Sequence, residues 1–172
     1  MSELTSAAVP AVGPGDHVRG NGPEVVLYLD LACPACAATW LEIRELPLRL
    51  CLRHFPLPKK RPRAPALHAA AEAAAAQRKD AFWEMVDSIY GDHGHLDDPH
   101  LWDRARTLGL DLDRFERDRR SDGVATRVRR DFESGIRAGV VGTPTGFSAG
   151  TRLEGSLTEA LTRLAGDSGR PL

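Results

Sequence analysis

Cysteine is scarce in this chain, with three in 172 residues, too few for a disulfide scaffold. A surplus of one charge is also missing: 23 Lys and Arg face 24 Asp and Glu, so the net charge of −1 draws the chain toward neither nucleic acid nor an anionic membrane. Long hydrophobic runs are absent. The strongest, Val25 to Leu29, is interrupted by Asp30, far short of the roughly 18 apolar residues of a membrane-spanning helix. The opening Met1-Ser2-Glu3-Leu4-Thr5-Ser6 lacks the basic region and apolar core of a secretory signal, which makes the cytoplasm the expected compartment. No internal repeat occurs, and only an alanine-rich stretch is compositionally biased. The remaining composition, 42% hydrophobic and 27% charged, fits one folded domain.

Residues 1–22 carry Pro10, Gly13, Pro14, Gly15, Gly20 and Gly22 without hydrophobic periodicity and read as a flexible arm; 167–172 read as a loose tail, leaving 23–166 as the domain. Val25-Val26-Leu27-Tyr28-Leu29 has the β-branched and aromatic character of a buried strand. From Ala35, the positions Cys36, Trp40 and Ile43 recur at helical spacing until Pro47. Leu48 to Arg53 alternates with period two and ends before Pro56, giving a second strand reached by a helical crossover, a βαβ unit with parallel strands.

A helical block follows, expected at about 62–139. Ala64 to Ala76 holds nine alanines, and Phe82, Met85, Val86, Ile89 and Tyr90 form a helical stripe with Trp83 beside it. Leu101 to Leu108 and Asp111 to Arg119 suggest two further helices. Val124, Val128, Phe132 and Ile136 form an i, i+4 stripe that ends before Gly139. Two short strands, around Phe147 and Arg152-Leu153, precede a helix carrying Leu157, Leu161 and Leu164.

Cys33-Pro34-Ala35-Cys36 sits where the first strand gives way to the first long helix. The free amides and partial positive charge of a helix start stabilise a thiolate at an exposed Cys33, which makes it the nucleophile. Cys36, one turn further in, can attack a mixed disulfide formed at Cys33, and Pro34 fits the first turn, where no amide hydrogen is needed. The element order, with this motif after a strand and a Thr-Pro just before the third, is that of an α/β thioredoxin fold with an inserted all-helical subdomain.

The segments Asp30 to Cys36, Arg53-His54-Phe55-Pro56-Leu57, Phe82-Trp83-Glu84-Met85 and Gly142-Thr143-Pro144-Thr145 resemble, in order and spacing, the DsbA-like thiol:disulfide oxidoreductases. The lead-in Asp16-His17-Val18-Arg19-Gly20 resembles that of family members linked to sodium/proton antiporters or standing alone in the cytoplasm. The resemblance implies a nucleophilic Cys33, a resolving Cys36 and a cis peptide between Thr143 and Pro144. Thr143, Pro144, Pro34 and Ala35 would then border the substrate polypeptide. Two positions depart from the family pattern. Leu27 stands where relatives often carry a buried acid, six residues before Cys33, and Gly146 stands where many have an aromatic residue.

Other chemistry-bearing residues have plainer readings. Asp30 reads as a solvated strand-end acid, Cys51 as a small buried hydrophobe, and His54 and His68 as structural polar groups. His93 and His95, with Asp97, Asp98 and His100, could ligate a metal but fit a polar loop better. Lys59-Lys60-Arg61-Pro62-Arg63 reads as a solvated loop, and Arg114 to Arg130 as an ion-pair-laced helical surface. The function expected is disulfide exchange with protein thiols or disulfides, with a glutathione- or thioredoxin-type redox partner and neither metal nor organic cofactor. In a reducing cytoplasm it would run toward reduction or isomerisation. Two alternatives stand: a metal- or partner-binding module on the same fold, and a glutathione- or peroxide-linked oxidoreductase.

Overall fold

The computed structural model describes residues 6–167. Five strands, β1 (His17–Arg19), β2 (Glu24–Leu29), β3 (Arg49–His54), β4 (Thr145–Ser148) and β5 (Thr151–Arg152), form one mixed sheet in the order β1-β3-β2-β4-β5. Strands β2 and β3 run parallel, with Val26 opposite Cys51. Their connection is the crossover helix α1 (Pro34–Ile43), as parallel neighbours require. Strand β4 returns antiparallel to β2, with Thr145 opposite Tyr28. The chain therefore has the α/β thioredoxin fold with its helical insertion.

Strand β2 is apolar at nearly every position because both sheet faces are covered. Val25, Leu27 and Leu29 join a large core with Trp40, Ile43, Phe82 and Leu161, while Val26 and Tyr28 join a smaller one with Cys51, Phe55 and Phe147. Between β3 and β4 lie α2 (Ala64–Gln77), α3 (Ala81–Gly91), α4 (Asp98–Thr107), α5 (Leu112–Asp118) and α6 (Asp122–Arg137); α7 (Leu157–Asp167) closes the fold against α1. The long helical stretch of the sequence is two helices, since Arg78 is extended at φ −154° and lets α3 pack back on α2.

The N-terminal arm corrects the sequence reading. Residues 17–19 form an edge strand antiparallel to β3, and Val9 and Val12 pack on the smaller core. The Arg53 guanidinium anchors the arm by donating to the carbonyls of Pro10 and Ala11 and to Asp16. Of the tail, Asp167 ends α7 and residues 168–172 lie outside the described residues, as do residues 1–5 of the arm.

Helix α6 also departs from expectation. The face it buries holds Asp131, Ser134 and Gly135, whereas Ile136 of the apolar stripe is 53% exposed. Polar partners explain this: Asp131 accepts from the His54 amide, Ser134 bonds the Tyr28 hydroxyl, and Gly135 lets Phe55 and Tyr28 come close. The surface from Arg114 to Arg130 is laced with ion pairs, among them Arg114–Asp118, Arg120–Glu116 and Arg127–Asp131.

Candidate active site

Cys33 is the N-cap of α1, with extended backbone, and its sulfur accepts from the Cys36 amide at 3.4 Å; Pro34 occupies the first turn. The sequence placed this thiol at an exposed helix tip, yet Cys33 is only 1% exposed and Cys36 is fully buried. The loop at Thr143 lies over it, and the Cys33 thiol donates to the Thr143 carbonyl at 3.8 Å. Pro34 and Ala35 between the cysteines remain exposed. Both sulfurs are free thiols.

The two thiols have opposite acidities. Hydrogen bonding from the Cys36 thiol lowers the Cys33 pKa to about 5 against the opposing effect of burial, helped by the Cys36 amide, the Thr143 side chain and the charge of Arg61. Burial pushes Cys36 the other way, and the neighbouring Cys33 adds to that. Burial likewise raises Cys51 to about 12; it sits in the smaller core, on the other face of the sheet.

Asp30 corrects another reading, because it is fully buried rather than solvated. Its carboxylate accepts from the amides of Ala32 and Leu57 and from Arg61, so it ties the loop before Cys33 to the loop after β3. Burial alone would raise its pKa, but His68 and these bonds hold it below the usual carboxylate value. Around the same turn, Tyr90 donates its hydroxyl proton to the Asp30 carbonyl, and the Leu31 amide donates to His68 Nε2 at 3.0 Å. Arg61 thus leaves the basic run to serve the site, while Lys59 and Lys60 stay exposed.

The Thr143–Pro144 peptide bond is cis. Beside it lies an open groove of about 310 Å³ whose walls include Val141, Thr143, Pro144, Leu153 and Leu157. Val141, 86% exposed, stands at its rim. Gly146 allows close packing here, since a Cβ at that position would lie 2.6 Å from Leu157 Cδ1 and 3.3 Å from Leu27 Cδ2. An aromatic side chain does not fit in this arrangement, which accounts for the glycine, and Leu27 is a core residue.

The fold brings Cys33, Cys36, Thr143 and Pro144 together; of the His93–His100 group, His95 and His100 pack ring on ring at 4.5 Å while each bonds its own aspartate. His93 bonds the Leu31 carbonyl at 3.0 Å, His95 bonds Asp92 and His100 bonds Asp97. The sequence reading left Arg61 in a solvated basic run and Tyr90 in a helical stripe read mainly as core; their roles at the site rest on partners 31 and 60 residues away.

A family model described as the DSBA-like thioredoxin domain matches residues 24–162. The chain is 37% identical over 167 residues to the Na(+)/H(+) antiporter NhaA of Herminiimonas arsenicoxydans, covering 90% of this chain and 26% of that protein. It is 35% identical over 166 residues to Na(+)/H(+) antiporter NhaA 1 of Mycolicibacterium vanbaalenii, covering 90% of this chain and 27% of that one. The chain thus spans about a quarter of the length of these curated relatives. Among solved structures, the thiol-disulfide exchange protein α-DsbA2 of Wolbachia pipientis superposes with a TM-score of 0.78 at 18% identity, covering 90% of this chain and 87% of that one. Oxidised BdbD of Bacillus subtilis gives 0.78 at 14%, covering 95% and 97%, and a thioredoxin-like oxidoreductase of Silicibacter pomeroyi gives 0.76 at 24%, covering 90% and 92%.

Proposed function

The chain belongs to the DSBA-like thioredoxin domain family, and from that premise we propose that it is a thiol:disulfide oxidoreductase acting on protein substrates through Cys33 and Cys36. The observation that carries this reading is the Cys33 sulfur, capping α1 opposite the Thr143 carbonyl with its pKa lowered to about 5. At pH 7 about 99% of such a thiol is thiolate.

In the reducing direction, the Cys33 thiolate attacks one sulfur of a substrate disulfide. A Cys33–substrate bond forms, and the other substrate sulfur leaves as a thiolate and takes a proton. Mixed-disulfide formation removes the charge on Cys33, and with it one of the causes that hold the Cys36 proton on. Cys36 then deprotonates and attacks Cys33 Sγ, expelling the second substrate thiolate. Two electrons have passed from the cysteine pair to the substrate, and the reverse sequence oxidises a dithiol. Substrate polypeptide lies along Thr143 and Pro144 in the adjoining groove, with Pro34 and Ala35 at its edge. In a reducing cytoplasm the pair rests as dithiol, and stabilisation of the Cys33 thiolate strengthens that preference, favouring isomerisation. Ion transport forms no part of this reading: the match covers about a quarter of the antiporters, and among the described residues no helix is long and apolar enough to cross a membrane.

The test is trapping. A Cys36→Ser variant mixed with a disulfide-bonded peptide should yield a stable Cys33–peptide adduct by mass, and Cys33→Ser none. Absence of an adduct under conditions where a small thiol reagent modifies Cys33 would refute the proposal.

A further inference from the structure

On the sheet face that also carries the cysteine motif, toward the β1 edge, three side chains from three elements converge: His17 of β1, His54 of β3 and Glu72 of α2. Their donor atoms all lie within 4.8 Å of one another. Glu72 Oε1 is 2.6 Å from the Nε2 of both histidines. We propose that His17, His54 and Glu72 form a binding site for a divalent transition-metal ion of the zinc class, distinct from the cysteine pair.

The donor set selects the ion. Two imidazoles and one carboxylate suit zinc, cobalt, nickel or copper, whereas calcium and magnesium take oxygen donors. Metal–donor bonds of about 2.0–2.1 Å at tetrahedral angles hold donors about 3.3 Å apart, so each His–Glu pair has to open by about 0.7 Å, within reach of the rotatable Glu72 side chain. Both histidine rings are held by neighbours, with their nitrogens within 4.8 Å of each other. The His17 ring stacks on Phe82 with centroids 3.5 Å apart, and His54 is fully buried and held at its other nitrogen by His68. Side-chain exposures of 14% for His17 and 10% for Glu72 leave an entry at that edge. Both histidines bond the same carboxylate oxygen, Glu72 Oε1, so the three donor groups already share one point. Arg127 Nε lies 3.9 Å from Glu72 Oε1 while its Nη1 pairs with Asp131, so a bound ion shares Glu72 with this guanidinium.

The outer partners make the site more than an isolated triad. Without metal, the Leu31 amide donates to His68 Nε2, so His68 carries its proton on Nδ1 and donates to His54 Nδ1, and His54 Nε2–H donates to Glu72. Metal on His54 Nε2 requires that proton on Nδ1 instead, which in turn moves the His68 proton to Nε2, facing Asp30 Oδ1 at 3.5 Å. The chain then runs metal–His54–His68–Asp30, no net proton is lost from it, and the Leu31 amide loses its acceptor two residues before Cys33.

Zinc binding is measured by competition with a chromophoric chelator on protein carrying Cys33→Ser and Cys36→Ser, so that the motif cysteines cannot ligate. One zinc per chain is expected. Glu72→Gln and His17→Gln should each weaken binding by more than the roughly tenfold to hundredfold that loss of an outer partner costs, while His95→Gln should leave it unchanged. His17→Gln lies at the partly exposed edge and serves where Glu72→Gln fails to fold. Amide NMR should show Leu31 shifting on zinc addition. No zinc uptake, or uptake that survives both substitutions, overturns the site; uptake with an unmoved Leu31 amide overturns the coupling.

Discussion

Removing the Cys36 sulfur should raise the Cys33 pKa by an amount the structure ranks. With Cys33 lowered to about 5, the thiolate is favoured at pH 7 over an ordinary thiol of about 8.5 by two decades, or about 2.7 kcal/mol. The sign follows from a folded pKa below the unfolded one: this stabilisation is present in full above about pH 8.5 and is lost as pH falls through 5. Because only the dithiol form carries the thiolate, the same free energy raises the reduction potential of the pair by about 60 mV at pH 7. Ultraviolet absorbance of the thiolate, titrated in reduced protein, should give a midpoint near 5. The stability of the reduced protein relative to the oxidised, measured in denaturant, should fall by most of that roughly 2.7 kcal/mol between pH 7 and pH 5, since carboxylates common to both forms cancel. In Cys36→Ala the leading cause of the shift is gone, and the midpoint should climb toward 8.5 without reaching it, because the amide at position 36, Thr143 and Arg61 remain. A wild-type midpoint near 8.5, or a Cys36→Ala midpoint still near 5, would refute the reasoning.

Two stability predictions test the packing. In Gly135→Ala the new Cβ lies 2.8 Å from the buried Phe55 ring and 2.9 Å from Tyr28, so overpacking of about 1–3 kcal/mol outweighs the roughly 1 kcal/mol gained in helix propensity; thermal melts should show net loss. Gly166→Ala, where a Cβ meets nothing within 4 Å, should show a gain instead. Arg53→Ala strands Asp16, whose side chain is 8% exposed, and should cost about 3–5 kcal/mol by chemical denaturation; a loss below 1 kcal/mol would remove the anchor role given to this pair.

Strands β2 and β3, the crossover helix and the cysteine motif were legible because each is a local pattern: an apolar run, a helical spacing, a Cys-x-x-Cys between them. Thr143 and Pro144 were found through the family resemblance. What escaped depends on partners distant in sequence. Strand β1, three residues between glycine-rich segments, has no periodicity to read and is made by its ladder with β3. The burial of Asp30 could not be judged without Leu57 and Arg61, 27 and 31 residues on. On α6 the i, i+4 apolar spacing pointed to one face, but hydrogen bonding of Asp131 and Ser134 to β3 and β2 selected the face beside it. Likewise, His93 and His95 were read mainly as parts of a polar loop, and nothing local in the sequence pointed to His17, His54 and Glu72, which the fold gathers.

The central claim, that Cys33 and Cys36 form a redox-active pair, is tested most directly by equilibrating the protein against graded ratios of reduced and oxidised glutathione, then alkylating free thiols and weighing the products. With alkylation carried out in denaturant, because all three cysteines are buried, the account predicts one reversible two-electron transition in which Cys33 and Cys36 lose alkylation together, while Cys51 is alkylated at every ratio. A pair that stays dithiol at every ratio, or a cysteine that oxidises alone, would contradict it.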